Sequence, residues 1–232
     1  TIAAWSPEVI DYLMTHGLNI VSSYYNAVGL AASIGNLDVV RQLVALGADI
    51  SYQEYWPMRI AACEGYLEIV KYLVAERADV AAQNNFAVQW AARNGHFATV
   101  KYLVAEGADV AANDHYAVGA AARGGYLDIV KYLVSRPAGA PPLGPSIERA
   151  AEGGQLHIIE YLVSQDADVV RQGKLALGNA AARGHIEIVK YLLSAGADSR
   201  AMHNYAIRAA IEYGHMDIVA LLLPYLGFPA AE

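Results

Sequence analysis

The chain has 232 residues, of which 56% are apolar and 17% charged, so it can bury a large core and is not expected to be disordered. Its formal net charge is −7, and its lysines are scattered without forming a basic run. We therefore predict no nucleic-acid binding and no binding to a membrane surface, since both need clustered positive charge. No apolar run approaches the roughly 18 residues of a membrane span.

Internal repetition organises the whole chain from its first residues. A truncated repeat covers residues 1–22 and predicts a helix from Pro7 to Met14, with Ser6 as the N-cap. About seven full repeats follow, and their turn glycines lie 29 or 30 residues apart. These glycines are Gly35, Gly65, Gly95, Gly125, Gly154, Gly184 and Gly214.

Each repeat predicts two helices joined by a turn at its glycine. The first helix is short and rich in alanine, as in residues 87–92. The second carries apolar residues at helical spacing, as in residues 67–74. It ends in Gly-Ala-Asp at residues 47–49, where glycine suits a left-handed position, and a short extended stretch such as residues 109–112 leads onward. Such pairs bury their apolar faces only by stacking on their neighbours.

The repeated motifs resemble the ankyrin repeat over residues 2–232. They are the Ala-Ala pair, the Gly-His/Tyr-Leu turn, the Glu-Ile-Val-Lys-Tyr-Leu-Val helix and the Gly-Ala-Asp-Val end. The resemblance implies an all-α ankyrin-repeat solenoid of stacked helix-turn-helix units with short β-hairpin-like fingers, in one domain over residues 1–232. The repeat is shorter than the usual length of about 33 residues. In this it is similar to the repeats of amoeba-infecting giant viruses.

Residues that could carry chemistry do not form a catalytic pattern. His96, His185 and His215 each follow a turn glycine, so we interpret them as scaffold, and we interpret the recurring tyrosines such as Tyr72 and Tyr161 as seams between repeats. No residues have metal-ligand spacing, and no phosphate-binding loop or nucleophile motif occurs. We predict no enzyme activity, no cofactor and no metal.

The location is predicted to be intracellular. Cys63 is the single cysteine and the chain has no Asn-x-Ser/Thr sequon, which fits a reducing compartment. We expect the cytoplasm and, if the chain is viral, the host cytoplasm or the virion.

Candidate partner-binding residues follow from the resemblance, because partners of ankyrin arrays contact the fingers and the concave face of the first helices. Trp90 stands where Leu30, Ile60 and Ala120 stand in other repeats, so it is either a recognition residue or a local space-filler. Large apolar residues recur at the position of Trp56, which favours packing there. The candidate set is Tyr25, Tyr55, Trp56, Arg59, Asn85, Gln89, Trp90, Arg93, His115 and Arg123.

Two irregular segments interrupt the pattern. The Pro-rich junction at residues 136–146 is a decayed repeat, a hinge or a docking loop. The last repeat is apolar from Met216 to Leu223, where a terminal repeat normally presents polar residues. A folded-back tail, further chain or a partner accounts for this apolar end.

The sequence therefore predicts a non-catalytic module that binds a protein partner. One alternative is a structural subunit of a virion or larger assembly that self-associates through its apolar ends. Another is a regulatory segment of a longer catalytic chain.

Overall fold

The computed structural model describes residues 27–136, 143–165 and 175–227. Within these ranges the chain forms α-helices, one short 3-10 helix and no strand, which confirms the predicted all-α repeat fold. The chain divides into two compact units, residues 1–113 (unit 1) and residues 114–232 (unit 2). A single domain over residues 1–232 stays a prediction. The predicted N-terminal helix and most of the Pro-rich junction lie outside the described residues.

Unit 1 is built from pairs of helices that stack in two rows. The first helices α1, α3 and α5 pack side by side, and the second helices α2, α4 and α6 form the other row. Their bounds are α1 Ala27–Ser33, α2 Leu37–Ala45, α3 Tyr52–Glu64, α4 Leu67–Ala75, α5 Ala82–Arg93 and α6 Phe97–Ala105.

Unit 2 repeats the arrangement. The first helices α9, α11 and α13 pack in sequence, and the second helices pair as α8 with α10 and α12 with α14. The bounds are α7 Ala112–Gly124, which begins at the unit boundary, α8 Leu127–Val134, α9 Leu143–Glu152, α10 Leu156–Ser164, α11 Ala176–Ala182, α12 Ile186–Ser194, α13 Ala201–Glu212 and α14 Met216–Leu222. A 3-10 helix, Leu223–Leu226, follows.

The core explains why the two helices differ in composition. The alanine pair Ala91 and Ala92 is fully buried, and small side chains there let neighbouring first helices approach closely. The second helices bury branched residues such as Ile69, Val70 and Leu73. Burying each of these side chains contributes about 1.5–3 kcal/mol.

The turn glycines are required by both backbone and packing. All seven have φ between 75° and 87°, a region that favours glycine. A Cβ on Gly65 would lie 2.4 Å from the ring of His96 in the next repeat. The same ring places Nε2 3.0 Å from the carbonyl oxygen of Cys63, and His215 pairs likewise with Ala182 at 3.2 Å. These contacts confirm that the recurring histidines belong to the scaffold.

The seam interpretation of the tyrosines is confirmed in both units. The guanidinium carbon of Arg41 lies 5.4 Å from the ring centroid of Tyr72 in the next repeat, and Lys131 Nζ lies 5.6 Å from the ring centroid of Tyr161. Burial raises the pKa of the Tyr72 phenol. Each cation–π contact therefore joins a repeat to its neighbour.

The predicted β-hairpin-like fingers take a different form, namely left-handed turns. Residues 53–55, 83–85, 113–115 and 202–204, which lie within the first turn of the bounds given for α3, α5, α7 and α13, all have φ between 47° and 64° and are not α-helical. Before each turn an aspartate caps the chain, as where Asp109 Oδ1 accepts a 2.8 Å bond from the Ala111 N–H. The predicted extended stretch at residues 109–112 is therefore wrong. Non-glycine residues in this conformation cost roughly 1–2 kcal/mol each, which tertiary bonds must offset.

Arg77 is a single left-handed residue whose backbone strain can be measured. It has φ 69° at the position where Gly47, Gly107 and Gly196 have φ between 87° and 98°. We expect Arg77→Gly to raise the free energy of unfolding by about 1 kcal/mol, because it relieves left-handed strain. Urea denaturation followed by circular dichroism measures the change. Glu76→Gly is the control, since Glu76 has φ −80° and gains nothing, and lower stability in Arg77→Gly would contradict the prediction.

Candidate functional site

A stacked group of side chains on α3 and α5 is the main candidate in unit 1. The rings of Phe86 and Trp90 are stacked with centroids 5.1 Å apart and planes 24° apart. Arg59 lies 5.1 Å from the Phe86 centroid, and Arg93 lies 4.4 Å from the Trp90 centroid. Helical spacing brings the three α5 residues to one face. We call these four residues the α5 stack.

Arg59 fixes the buried end of the α5 stack. It is only 7% exposed, and its Nε donates a 2.9 Å bond to the carbonyl oxygen of Glu54. Its Nη2 donates to the Gln53 carbonyl at 2.5 Å and its Nη1 to Gln83 Oε1 at 2.8 Å. Burial lowers the pKa of the guanidinium, and the Glu54 carboxylate opposes this shift. Arg59 therefore holds a left-handed turn and supports Phe86.

Two more predicted residues also lie in the scaffold of unit 1. Gln89 is 4% exposed, and its Nε2 donates a 2.7 Å bond to the Asn84 carbonyl. Asn85 is 7% exposed, and its Oδ1 accepts a 2.7 Å bond from the Asp109 N–H. Both side chains are buried and bonded to turns, so a partner would mainly contact the other predicted binding residues.

The predicted aromatic residues differ in their surroundings. Trp56 packs against the preceding first helix, where a Cβ on Gly29 would be 1.9 Å from its ring. This contact favours the packing interpretation of Trp56. Tyr55 is half-buried in its left-handed turn, and Tyr25 lies outside the described residues. Trp90 is half-buried beside the exposed Arg93, which leaves part of the α5 stack open to solvent.

Unit 2 contains the other two predicted residues. His115 is half-buried in a left-handed turn. Arg123 is half-exposed, and its Nη2 lies 3.1 Å from Glu152 Oε1. The same oxygen accepts a 2.9 Å bond from Arg183 Nη2. Sequence reasoning missed Glu152 and Arg183, although each stands just before a turn glycine, where residue identity changes from repeat to repeat.

A cavity of 410 Å³ in unit 2 was also missed. We call it the unit-2 pocket, and its lining residues are Glu152, Asn179, Ala182, Arg183, Tyr205 and Tyr213. Tyr205 packs against Gly178, where a Cβ would lie 2.0 Å from its ring, while Tyr213 is 61% exposed. The pocket thus has one fixed and one open aromatic wall.

Metal ligands, a membrane-spanning helix or a reactive thiol would each indicate a further function of the described residues. Within them, no group of three or more His, Cys, Asp or Glu residues could hold a metal ion. In the same part of the chain, no helix has the length and apolar character needed to cross a membrane. Burial raises the pKa of the Cys63 thiol, which makes it a poor nucleophile at neutral pH.

Comparison with known proteins assigns the class of the fold. A family model described as "Ankyrin repeats (3 copies)" matches residues 1–84, 58–142 and 147–230. The chain therefore belongs to the ankyrin-repeat family, whose domains generally mediate protein–protein interaction.

A solved structure shares this fold. The chain resembles the crystal structure of the human ASB11 ankyrin repeat domain with a TM-score of 0.71 and 19% sequence identity. The match covers 85% of this chain and 98% of the other, and at this identity it concerns the fold alone. A search among curated proteins found no match.

Proposed function

We propose that this chain is a non-catalytic interaction module that binds a protein partner through the first helices and turns of unit 1, with Trp90 as the anchor. The observation that carries the proposal is the α5 stack, in which Trp90 is half-buried between Phe86 and Arg93. Tryptophan and arginine are enriched among the residues that dominate binding energy. Binding takes place inside the cell, and the short repeat form supports a viral origin with a host protein as partner.

The rigidity of the α5 stack supports the same proposal. Bonds to the turn carbonyls hold the Arg59 guanidinium in place against the Phe86 ring. Phe86 is stacked on Trp90 and therefore holds the Trp90 ring in place. An anchor already held in one rotamer loses little conformational entropy on binding. The partner therefore places an apolar group on the open part of Trp90 and a hydrogen-bond acceptor near the exposed Arg93.

Affinity capture from extract of the source cells, followed by mass spectrometry, tests the proposal. One partner is expected to be retained by the wild type and lost by Trp90→Ala, and the Kd of the purified complex is expected to rise about 30-fold or more in this variant. Leu46→Ala is the control, because Leu46 is an apolar residue of unit 1, 43% exposed and outside the α5 stack. Circular dichroism must show that every variant is folded. Equal recovery with wild type and Trp90→Ala would refute the proposal.

A second candidate function is a structural subunit that self-associates through its last repeat, and Ile211 supports it. Ile211 is 54% exposed, whereas its counterparts Ala62 and Ala92 are fully buried against the next first helix. A branched side chain would hold a following helix too far away for alanine-type packing. Tyr213 and Met216 are also exposed, at 61% and 58%, so this end favours a different apolar surface, such as that of a second copy.

Light scattering of the full chain over a range of concentrations tests self-association. The wild type is expected to gain mass with concentration, and Ile211→Ser combined with Tyr213→Ser is expected to stay monomeric. The control is Ile34→Ser, because Ile34 is an exposed residue one place before its turn glycine, as Tyr213 is. A wild-type chain that is monomeric at every concentration would exclude this function.

A further inference from the structure

We infer that the unit-2 pocket binds an acidic side chain of a protein partner. Its volume, 410 Å³, lies within the range of about 300–1,000 Å³ typical of binding pockets. The pocket is framed by α9, α11 and α13, which pack in one row, and its α13 residues follow the left-handed turn at residues 202–204. Helices position side chains more rigidly than loops do, which applies to the lining residues Glu152, Asn179, Ala182 and Tyr205, while Arg183 and Tyr213 directly follow α11 and α13.

A short side chain, that of Ala182, explains why the pocket exists. Ala182 stands two places before its turn glycine, where the other repeats of unit 2 carry Arg123, Glu152 and Glu212. A long side chain at that position would fill the space between Asn179 and Tyr213. The alanine therefore opens a cavity in a row whose other members in unit 2 are large polar residues.

The charges at the pocket favour an anionic ligand. Glu152 Oε1 accepts a bond from Arg183 Nη2 and lies 3.1 Å from the Nη2 of Arg123, a neighbour of the lining residues, so one carboxylate faces two guanidinium groups. Two arginines and one glutamate give this trio a formal net charge of +1. The side chains of Arg123 and Arg183 are 50% and 55% exposed, so solvent reaches both.

The geometry of arginine specifies a carboxylate. A guanidinium has five N–H donors in a planar fork, and Arg183 donates one bond to Glu152. The remaining donors suit the paired oxygens of a partner carboxylate. The Tyr205 and Tyr213 rings supply apolar faces for the methylene groups of that side chain, and Asn179 is held by donating a 3.5 Å bond to the Glu148 carbonyl.

Selection from a phage-displayed random peptide library on the full chain tests this inference. Clones that still bind the Trp90→Ala variant are kept, because their binding does not depend on the α5 stack. We expect these clones to share an aspartate or glutamate at one fixed position. If none survive, or if the survivors share no acidic position, the inference is overturned, whatever the outcome at the α5 stack.

Substitutions in the pocket then identify the site with a synthetic copy of the selected peptide. Arg183→Gln is expected to weaken binding about tenfold, while the exposed Arg200→Gln serves as the matched control and leaves it unchanged. Glu152→Gln is expected to tighten binding about threefold, because it removes the carboxylate that competes for both arginines. A merely structural role for Glu152 predicts no tightening. Unchanged affinity in Arg183→Gln, or weaker affinity in Glu152→Gln, overturns the inference.

Discussion

Replacing Gly153 with alanine is expected to lower the free energy of unfolding by about 3 kcal/mol. A Cβ at this position would lie 2.1 Å from the carbonyl oxygen of Arg123, which is a backbone atom of the neighbouring first helix. A flexible side chain could rotate away, but a helix backbone cannot move without repacking its neighbours. Urea denaturation followed by circular dichroism measures the loss.

The preceding repeat provides the control for this prediction. Gly124 occupies the same place before its turn glycine, and Glu64 and Asn94 carry side chains there in unit 1. We therefore expect Gly124→Ala to change the stability by less than about 1 kcal/mol. If Gly153→Ala and Gly124→Ala lose similar amounts of stability, then the close contact with the Arg123 carbonyl is not the reason for a glycine at position 153.

The helices and turns were predictable because each depends on a pattern that recurs. A turn glycine, a buried alanine pair and an apolar stripe reappear every 29 or 30 residues, so each repeat supports the assignment of the others. The left-handed turns were not predictable from local preference. Asn84 and Asn85 tolerate that conformation, but Gln53, Glu54 and Tyr55 do not favour it. Side chains such as Arg59, four residues after the turn ends, supply the bonds that hold it.

The candidate site was predictable only in part. Trp90 could be recognised as an exception to the repeat, and its stacking with Phe86 follows from helical spacing. Variation between Arg59 and Gln89 suggested freedom for recognition, yet both side chains bond a turn carbonyl, so different residues perform one structural task. The unit-2 pocket could not be predicted from the sequence, because its lining residues come from three repeats and the short side chain of Ala182 leaves space only where those repeats meet.

Removal of the Arg59 side chain is expected to destabilise unit 1 and to weaken partner binding together. Arg59→Ala leaves the carbonyls of Gln53 and Glu54 without their donor and leaves Phe86 without its support. We expect a loss of about 3 kcal/mol in the free energy of unfolding, because both carbonyls lose charge-assisted bonds in a buried setting. Urea denaturation measures this loss, and faster amide hydrogen exchange in α3 and α5 locates it.

Two further variants separate the hydrogen bonds of Arg59 from its general packing. Arg59→Gln is expected to recover part of the stability, because Gln89 bonds the Asn84 carbonyl in the same way one repeat later. Arg208→Ala is the matched control, since Arg208 holds the same position but is exposed and donates one 3.4 Å bond to Met202. Its loss is expected to stay below about 1 kcal/mol. Equal losses in Arg59→Ala and Arg208→Ala would contradict the role given to burial. Weaker partner binding in Arg59→Ala than in Arg59→Gln would show that the turn and the α5 stack act as one unit, because the same guanidinium holds both.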